Sequence, residues 1–243
     1  MGSIASRLPS LLLGLLATCG LLSCGPSPEG ADSPAPTPTE ETTPIAEPMA
    51  ETPPTRPESA PTSLTVTDAV PPSTPEELWQ QLQQPADTLY VVLLRHALAP
   101  GTGDPENFQL GDCSTQRNLS EAGREQAVAI GQAFRDRGVA VRQILSSQWC
   151  RCLETAELMD VGQVEAYPEL NSFFRDRSTS TAQTTAVKEY LVSEADAGGV
   201  IIMVTHQVNI TGLTDIFPQS GEAVVVQVET DQLTQIGQFR PAL

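Results

Sequence analysis

From Leu89 to Leu94 the chain runs Leu-Tyr-Val-Val-Leu-Leu without a polar break, the pattern of a strand buried on both faces of a parallel sheet. Helical spacing flanks it. On the N-terminal side Leu78, Trp79 and Leu82 form an apolar stripe behind Ser73 or Thr74 as cap, with Glu76 and Glu77 near the positive helix end. On the C-terminal side Ala127, Ile130, Ala133 and Phe134 mark a helix over 120–137, capped by Ser120 and stopped at Gly138. The alternation continues with a strand over 141–145, a helix over 148–159, a short strand Val164–Ala166, a helix over 182–193, a strand over 200–204 and a helix opening near Val208. Two last runs, Ala223–Val228 and 235–239, read as strands with no helix between them. Alternating strand and helix units predict a three-layer α/β/α sandwich, its sheet mostly parallel and finished by an antiparallel edge pair.

The first 75 residues show no such periodicity. Arg7 and the free amine precede an apolar run over 8–22, which fits a secretory segment and falls short of the roughly 20 residues that span a bilayer. The run closes on Leu21-Leu22-Ser23-Cys24, which resembles the lipobox of bacterial lipoproteins, where the cysteine is diacylated at the cleavage site. Cys19, behind Thr18, is the weaker alternative. Fourteen of the 21 prolines then lie between Pro26 and Pro75, and eight acidic residues face Arg56 alone, a local charge of -7. Such a segment buries too little apolar surface to offset its ordering entropy, so a disordered spacer is expected. At about 3.1 Å per residue in polyproline II form, it could hold a domain up to ~150 Å from a membrane. The expected organisation is a lipoprotein signal peptide over 1–23, a tether over 24–75 and one domain over 76–243 at the bacterial cell envelope, facing the periplasm or exterior.

The whole chain carries a formal charge of -17. That argues against a nucleic-acid partner, which would need a basic patch to displace counterions. The membrane is therefore expected to be met through the lipid alone. Against this negative background the placement of a few cations is informative. The two histidines of the chain, His96 and His206, both follow the ends of expected buried strands, and Arg95 adjoins the first. In an open α/β sheet the ligand crevice lies at those carboxyl ends. Arg151 opens the helix after the second strand, where the dipole and free amides favour an anion. Arg117 could add a fourth cation. Together they make a dense cationic pocket, suited to an anion, in a chain that is otherwise strongly negative.

These residues resemble the histidine phosphatase superfamily, the phosphoglycerate mutase-like fold. Leu94-Arg95-His96-Ala97 is similar to its Arg-His-Gly signature, Ser147 to Ala156 to its Ser-x-x-x-Arg-x-x-x-Thr-Ala signature, and Val204-Thr205-His206 to the segment of its second histidine. Asn118, Leu119, Ser120 and Gly123 look like its Leu-Thr-x-x-Gly helix opening. The resemblance implies a phosphatase in which His96 is phosphorylated while Arg95, Arg151 and His206 hold the phosphoryl oxygens. Arg117, Asn118 and Gln207 are the expected substrate contacts. The substrates implied are a phosphorylated small molecule, an envelope sugar phosphate or a phosphohistidine protein, handled by a monomer without cofactor.

Three departures matter. Ser172 stands where many members carry an acidic proton donor, and a hydroxyl cannot readily protonate an alkoxide. Glu169, Asp176, Asp104 or Asp112 could substitute, and a degenerate fold that only binds phosphate is the alternative reading. Ala97 replaces the signature glycine, and Gln207 follows the second histidine. Among the cysteines, Cys150 and Cys152 lie about 200° apart on a helix, so only one of them can bond Cys113. No pair of CxxC motifs is present and both histidines are committed, so no metal is expected.

Overall fold

The computed structural model describes residues 73–242. The expectations for the signal peptide, Cys19, Cys24 and most of the tether lie outside the described residues. Helix α1 (Pro75–Gln83) is capped by Thr74 rather than Ser73. Thr74 Oγ1 accepts from Glu77 N at 3.3 Å, and Glu77 Oε2 accepts from Thr74 N at 2.7 Å, so each side chain satisfies an amide that the helix leaves unpaired. There follow β1 (Leu89–Arg95), α2 (Glu121–Asp136), β2 (Val141–Ser146), α3 (Cys150–Met159), β3 (Val164–Ala166), α4 (Ser180–Ser193), β4 (Gly199–Thr205), α5 (Gln207–Thr214), β5 (Ala223–Val228) and β6 (Leu233–Phe239).

One six-stranded sheet has the order β3-β2-β4-β1-β5-β6. The pairs β2·β3, β2·β4 and β1·β4 are parallel, while β1·β5 and β5·β6 are antiparallel. Along β1 the side chains alternate between two cores: Val92 and Leu94 meet α1, α2 and α3, whereas Leu89, Val91 and Leu93 meet α4 and α5. Helices therefore cover both faces, as the apolar run required. Each of these aliphatic side chains contributes roughly 1.5–3 kcal/mol of burial.

Two glycines set close approaches. A Cβ on Gly131 would lie 1.7 Å from Met159 O, so α2 and α3 touch backbone to backbone there. A Cβ on Gly123 would lie 2.1 Å from Leu98 O, and that carbonyl also accepts from Ser120 N at 3.0 Å. The loop after β1 is thereby laid on the first turn of α2.

The helix expected from 148 begins at Cys150. Gln148 N is taken by Asn171 Oδ1 at 2.8 Å and Trp149 N by Ser147 Oγ at 3.3 Å, so local side-chain partners hold these residues out of the helix. Helix α4 starts earlier than expected, at Ser180, because its first turn is Ser, Thr and Ala and carries no apolar stripe. Among the described residues no helix is long and apolar enough to cross a membrane.

Candidate active site

The parallel register places Arg95 beside Thr205, so the next residues, His96 and His206, leave adjacent strands side by side. Their rings stand 5.6 Å apart. Strand β2, on the other flank of β4, ends in Ser146 and Ser147, and α3 then brings Arg151 to the same sheet edge. His96, Arg151 and His206 are only 2%, 2% and 3% exposed. With Arg95 and Arg117 they line one cavity of about 380 Å³.

His96 Nδ1 lies 2.8 Å from Ala97 O. A carbonyl can only accept, so Nδ1 carries the proton and Nε2 the lone pair. Burial, then the charges of Arg151, Arg117 and Arg95, depress the His96 pKa to about 3 against the weaker lift from Ala97 O. The ring is therefore neutral and nucleophilic at any physiological pH. His206 accepts at Nδ1 from Arg151 Nη2 at 3.3 Å and donates from Nε2 to Ser147 Oγ at 2.9 Å. Burial and the same guanidinium groups hold it well below the usual imidazole range. Burial and Arg151 also pull Arg117 down to about 10. The cleft is thus crowded with positive charge that an anion would relieve.

Two buried polar atoms without a partner are Arg95 Nε and Arg151 Nε. The rest of Arg151 is occupied. Nη1 and Nη2 grip Asp104 in a fork at 2.7 and 3.1 Å, and Nη1 also donates to Arg117 O at 3.3 Å. Asp104 takes two further bonds, from Arg117 N and Trp149 Nε1, each at 3.1 Å. Burial pushes its carboxyl up, but these partners outweigh it and keep the pKa below the ordinary value.

Helix α3 is set against the segment that follows β1 by Thr155, whose Oγ1 accepts from Ala97 N at 3.0 Å and donates to Arg151 O at 2.7 Å. Arg151 and Thr155 are four residues apart and share a helix face, the physical content of the Arg-x-x-x-Thr spacing. The α3 start is further fastened by the Cys113–Cys150 disulfide and by Gln116 Oε1, which accepts from Cys150 N at 3.0 Å. That first amide is therefore not free for an anion, contrary to the expectation for this helix end. Cys152 is a free, buried thiol 3.5 Å from His206 Nε2, pushed up to about 12 by burial and hence unreactive as a thiolate.

The remaining expected residues are spread more widely. Arg117 lines the cleft, but its Nε donates to Gly103 O at 2.8 Å and its Nη1 to Ala99 O, so it braces the loop after β1. Asn118 does not line the cavity, and its amide donates to Cys113 O at 2.7 Å. Gln207 lines it and donates to Thr211 Oγ1 at 2.8 Å. Ser172 also lines it, with Oγ accepting from Phe174 N at 3.3 Å. Of the substitute acids, Glu169 and Asp112 lie outside the lining. Asp176 sits at the rim, where Ser178 Oγ and N hold its carboxyl below the usual range, the wrong direction for a proton donor. The aromatic residues of the cleft, Trp149 stacked on Phe108 at 4.8 Å together with Phe174 and Phe217, carried no signal in the sequence. Among the described residues no group of three His, Cys, Asp or Glu could hold a metal ion.

A doubly wound sheet with a neutral buried histidine among three guanidinium groups is an arrangement suited to phosphoryl transfer. Residues 91–178 match the histidine phosphatase superfamily (branch 1). The matched segment carries Arg95, His96, Arg117 and Arg151, so over that segment the chain is similar to the superfamily. Similar solved structures include a protein histidine phosphatase, SixA, complexed with tungstate, at 15% identity over 63% of this chain and 97% of that one, TM-score 0.47. A mycobacterial glucosyl-3-phosphoglycerate phosphatase with inorganic phosphate has 15% identity over 63% and 99%, TM-score 0.48. A phosphoserine phosphatase from Entamoeba histolytica with 3-phosphoglyceric acid has 12% identity over 64% and 100%, TM-score 0.46. No curated protein sequence matches.

Proposed function

We propose that the chain is a membrane-anchored phosphatase that hydrolyses a phosphomonoester or phosphohistidine through a phosphate carried on His96. The observation that carries this reading is the pair of unpartnered Arg95 and Arg151 Nε–H groups in the cleft that His96 lines. Buried donors without acceptors are costly, and phosphoryl oxygens satisfy both. In the first step His96 Nε2 bonds to phosphorus as the ester oxygen, or the donor imidazole nitrogen, departs on the opposite side. In the second, water takes phosphorus, the Nε2–P bond breaks and inorganic phosphate leaves. Burial and then the guanidinium charges keep His206 neutral, and a phosphate dianion offsets the second of these. A protein that merely bound phosphate would have no use for a nucleophile with its tautomer set by Ala97 O.

Among the described residues no carboxylic acid is poised in the cleft: Asp104 is ionised on Arg151 and Asp176 on Ser178. The proton must arrive late, so rates are expected to climb steeply as leaving-group pKa falls. Aryl phosphates and phosphoramidates should be turned over far faster than alkyl phosphates. A flat dependence across a series of phosphate esters would contradict this and would show that some group delivers the proton as the bond breaks.

The anchor is the lipid on Cys24, with the proline-rich tether holding the domain away from the bilayer. The Cys113–Cys150 disulfide supports an oxidising compartment. Cys24→Ser should move the protein from the detergent phase to the aqueous phase. A wild-type protein with an unmodified N-terminus, recovered wholly in the aqueous phase, would rule the anchor out.

A further inference from the structure

The cleft continues beyond its aromatic rim. Phe174 and Phe217, 46% and 65% exposed, line both it and a second cavity of about 730 Å³, as do Gln207 and Val208. The second cavity runs along α4 and α5, lined by the hydroxyl residues Thr181, Thr184 and Thr185 and by Arg177 and Lys188, while the Ser180 hydroxyl in its lining donates to Arg177 O at 2.7 Å. Lys188 is the only lysine of the chain. Neither cation forms an ion pair among the described residues.

Surface cations are usually solvated and carry no message. Here their distribution does. Within residues 73–242, six of the eleven basic side chains line these two adjoining cavities, against three of the twenty-two acidic ones. Two of those three acids, Asp104 and Asp176, are already hydrogen-bonded within the fold. The positive charge of an acidic domain is thus gathered along one path, from His96 past the phenyl rings to Lys188.

We propose that the second cavity seats an acidic group on the leaving-group side of the substrate. The preferred substrate is then a small phosphomonoester bearing a second phosphate or a carboxylate, joined to the reacting phosphate by a spacer that passes Phe174 and Phe217. In-line displacement sends the leaving group away from His96 Nε2, toward the open mouth where these rings stand. An apolar spacer suits the phenyl faces. Hydroxyls and free cations suit the oxygens beyond, and binding there orients the reacting phosphate. The inference rests on the phosphatase reading, so the test separates the two.

Turnover of 4-nitrophenyl phosphate, which carries no second acidic group, tests the phosphatase alone. The cavity is tested by calorimetric binding of non-hydrolysable α,ω-alkane bisphosphonates and ω-phosphonocarboxylates of graded length against monophosphonates of the same length. The doubly acidic ligands should bind about tenfold tighter at an optimal length. Lys188→Ala combined with Arg177→Ala should abolish that advantage and leave 4-nitrophenyl phosphate turnover within about twofold of wild type. An advantage restricted to bisphosphonates supports the site with phosphate as its ligand, and one shared by carboxylates supports it as a general anion site. Equal affinities for singly and doubly acidic ligands, or an advantage that survives both substitutions, would overturn the proposal. So would a preference for a phosphohistidine-bearing protein with no gain from any of these small ligands.

Discussion

His96→Ala is expected to lower kcat/KM by at least about 10³-fold, because the nucleophile of a two-step transfer has no substitute in the cleft. Rapid, acid-free quenching of the wild-type protein with substrate should leave phosphate on His96. The adduct should not form on His206, whose Nε2 is turned to Ser147 Oγ at 2.9 Å. Label on His206, or unchanged turnover in the variant, would refute the assignment. The ring should also stay neutral through the mildly acidic range, since its pKa is depressed to about 3. Its NMR signals should therefore not titrate between pH 8 and 5, whereas an ordinary imidazole would pass through its midpoint there. The sign for stability follows: between about 3 and the unfolded value near 6.5 the unfolded chain binds the extra proton, so this site costs stability as pH falls.

Arg151→Ala is expected to cost about 10²–10³-fold in kcat, the scale of losing one preorganised donor to developing charge. The substitution also strands Asp104, whose side chain is only 6% exposed, so part of any loss would reflect a weakened fold. Arg151→Lys separates the two effects. It keeps a positive charge beside Asp104 but not the planar fork, and should still lose about 10²-fold while the thermal melt moves little. Less than a fivefold fall in Arg151→Ala with a native melt would place Arg151 outside the phosphate seat.

The sheet and its chemistry were legible where one pattern had one cause. The run 89–94 is uniformly apolar because both faces of β1 are covered, and a parallel neighbour requires a crossover, so the strand ends that carry His96 and His206 could be paired before their register was known. What stayed hidden depends on contacts without a local signature. Asp104 lies in a loop without periodicity, and its partner Arg151 is 47 residues away. Ser147 and His206 are 59 apart. Nothing near Arg117 foretells that its guanidinium is spent on the carbonyls of Gly103 and Ala99. The start of α4 was missed because a Ser-Thr-Ala turn looks the same in a loop as in an exposed helix end. Phe174 and Phe217 belong to no apolar stripe, since they face a cleft instead of the core.

The crowding of guanidinium groups around two buried imidazoles has a consequence for the fold as a whole. Brought together only by the non-local pairing of β1, β2 and β4, these charges repel one another in the native state and are dispersed in the unfolded chain. That repulsion opposes folding, and an anion that binds only the native state offsets it. At a hundred times its dissociation constant such a ligand adds about 2.7 kcal/mol, a sizeable fraction of what holds a domain of this size together. In surroundings rich in phosphate, substrate and product would act as structural components of the protein as well as passengers through it.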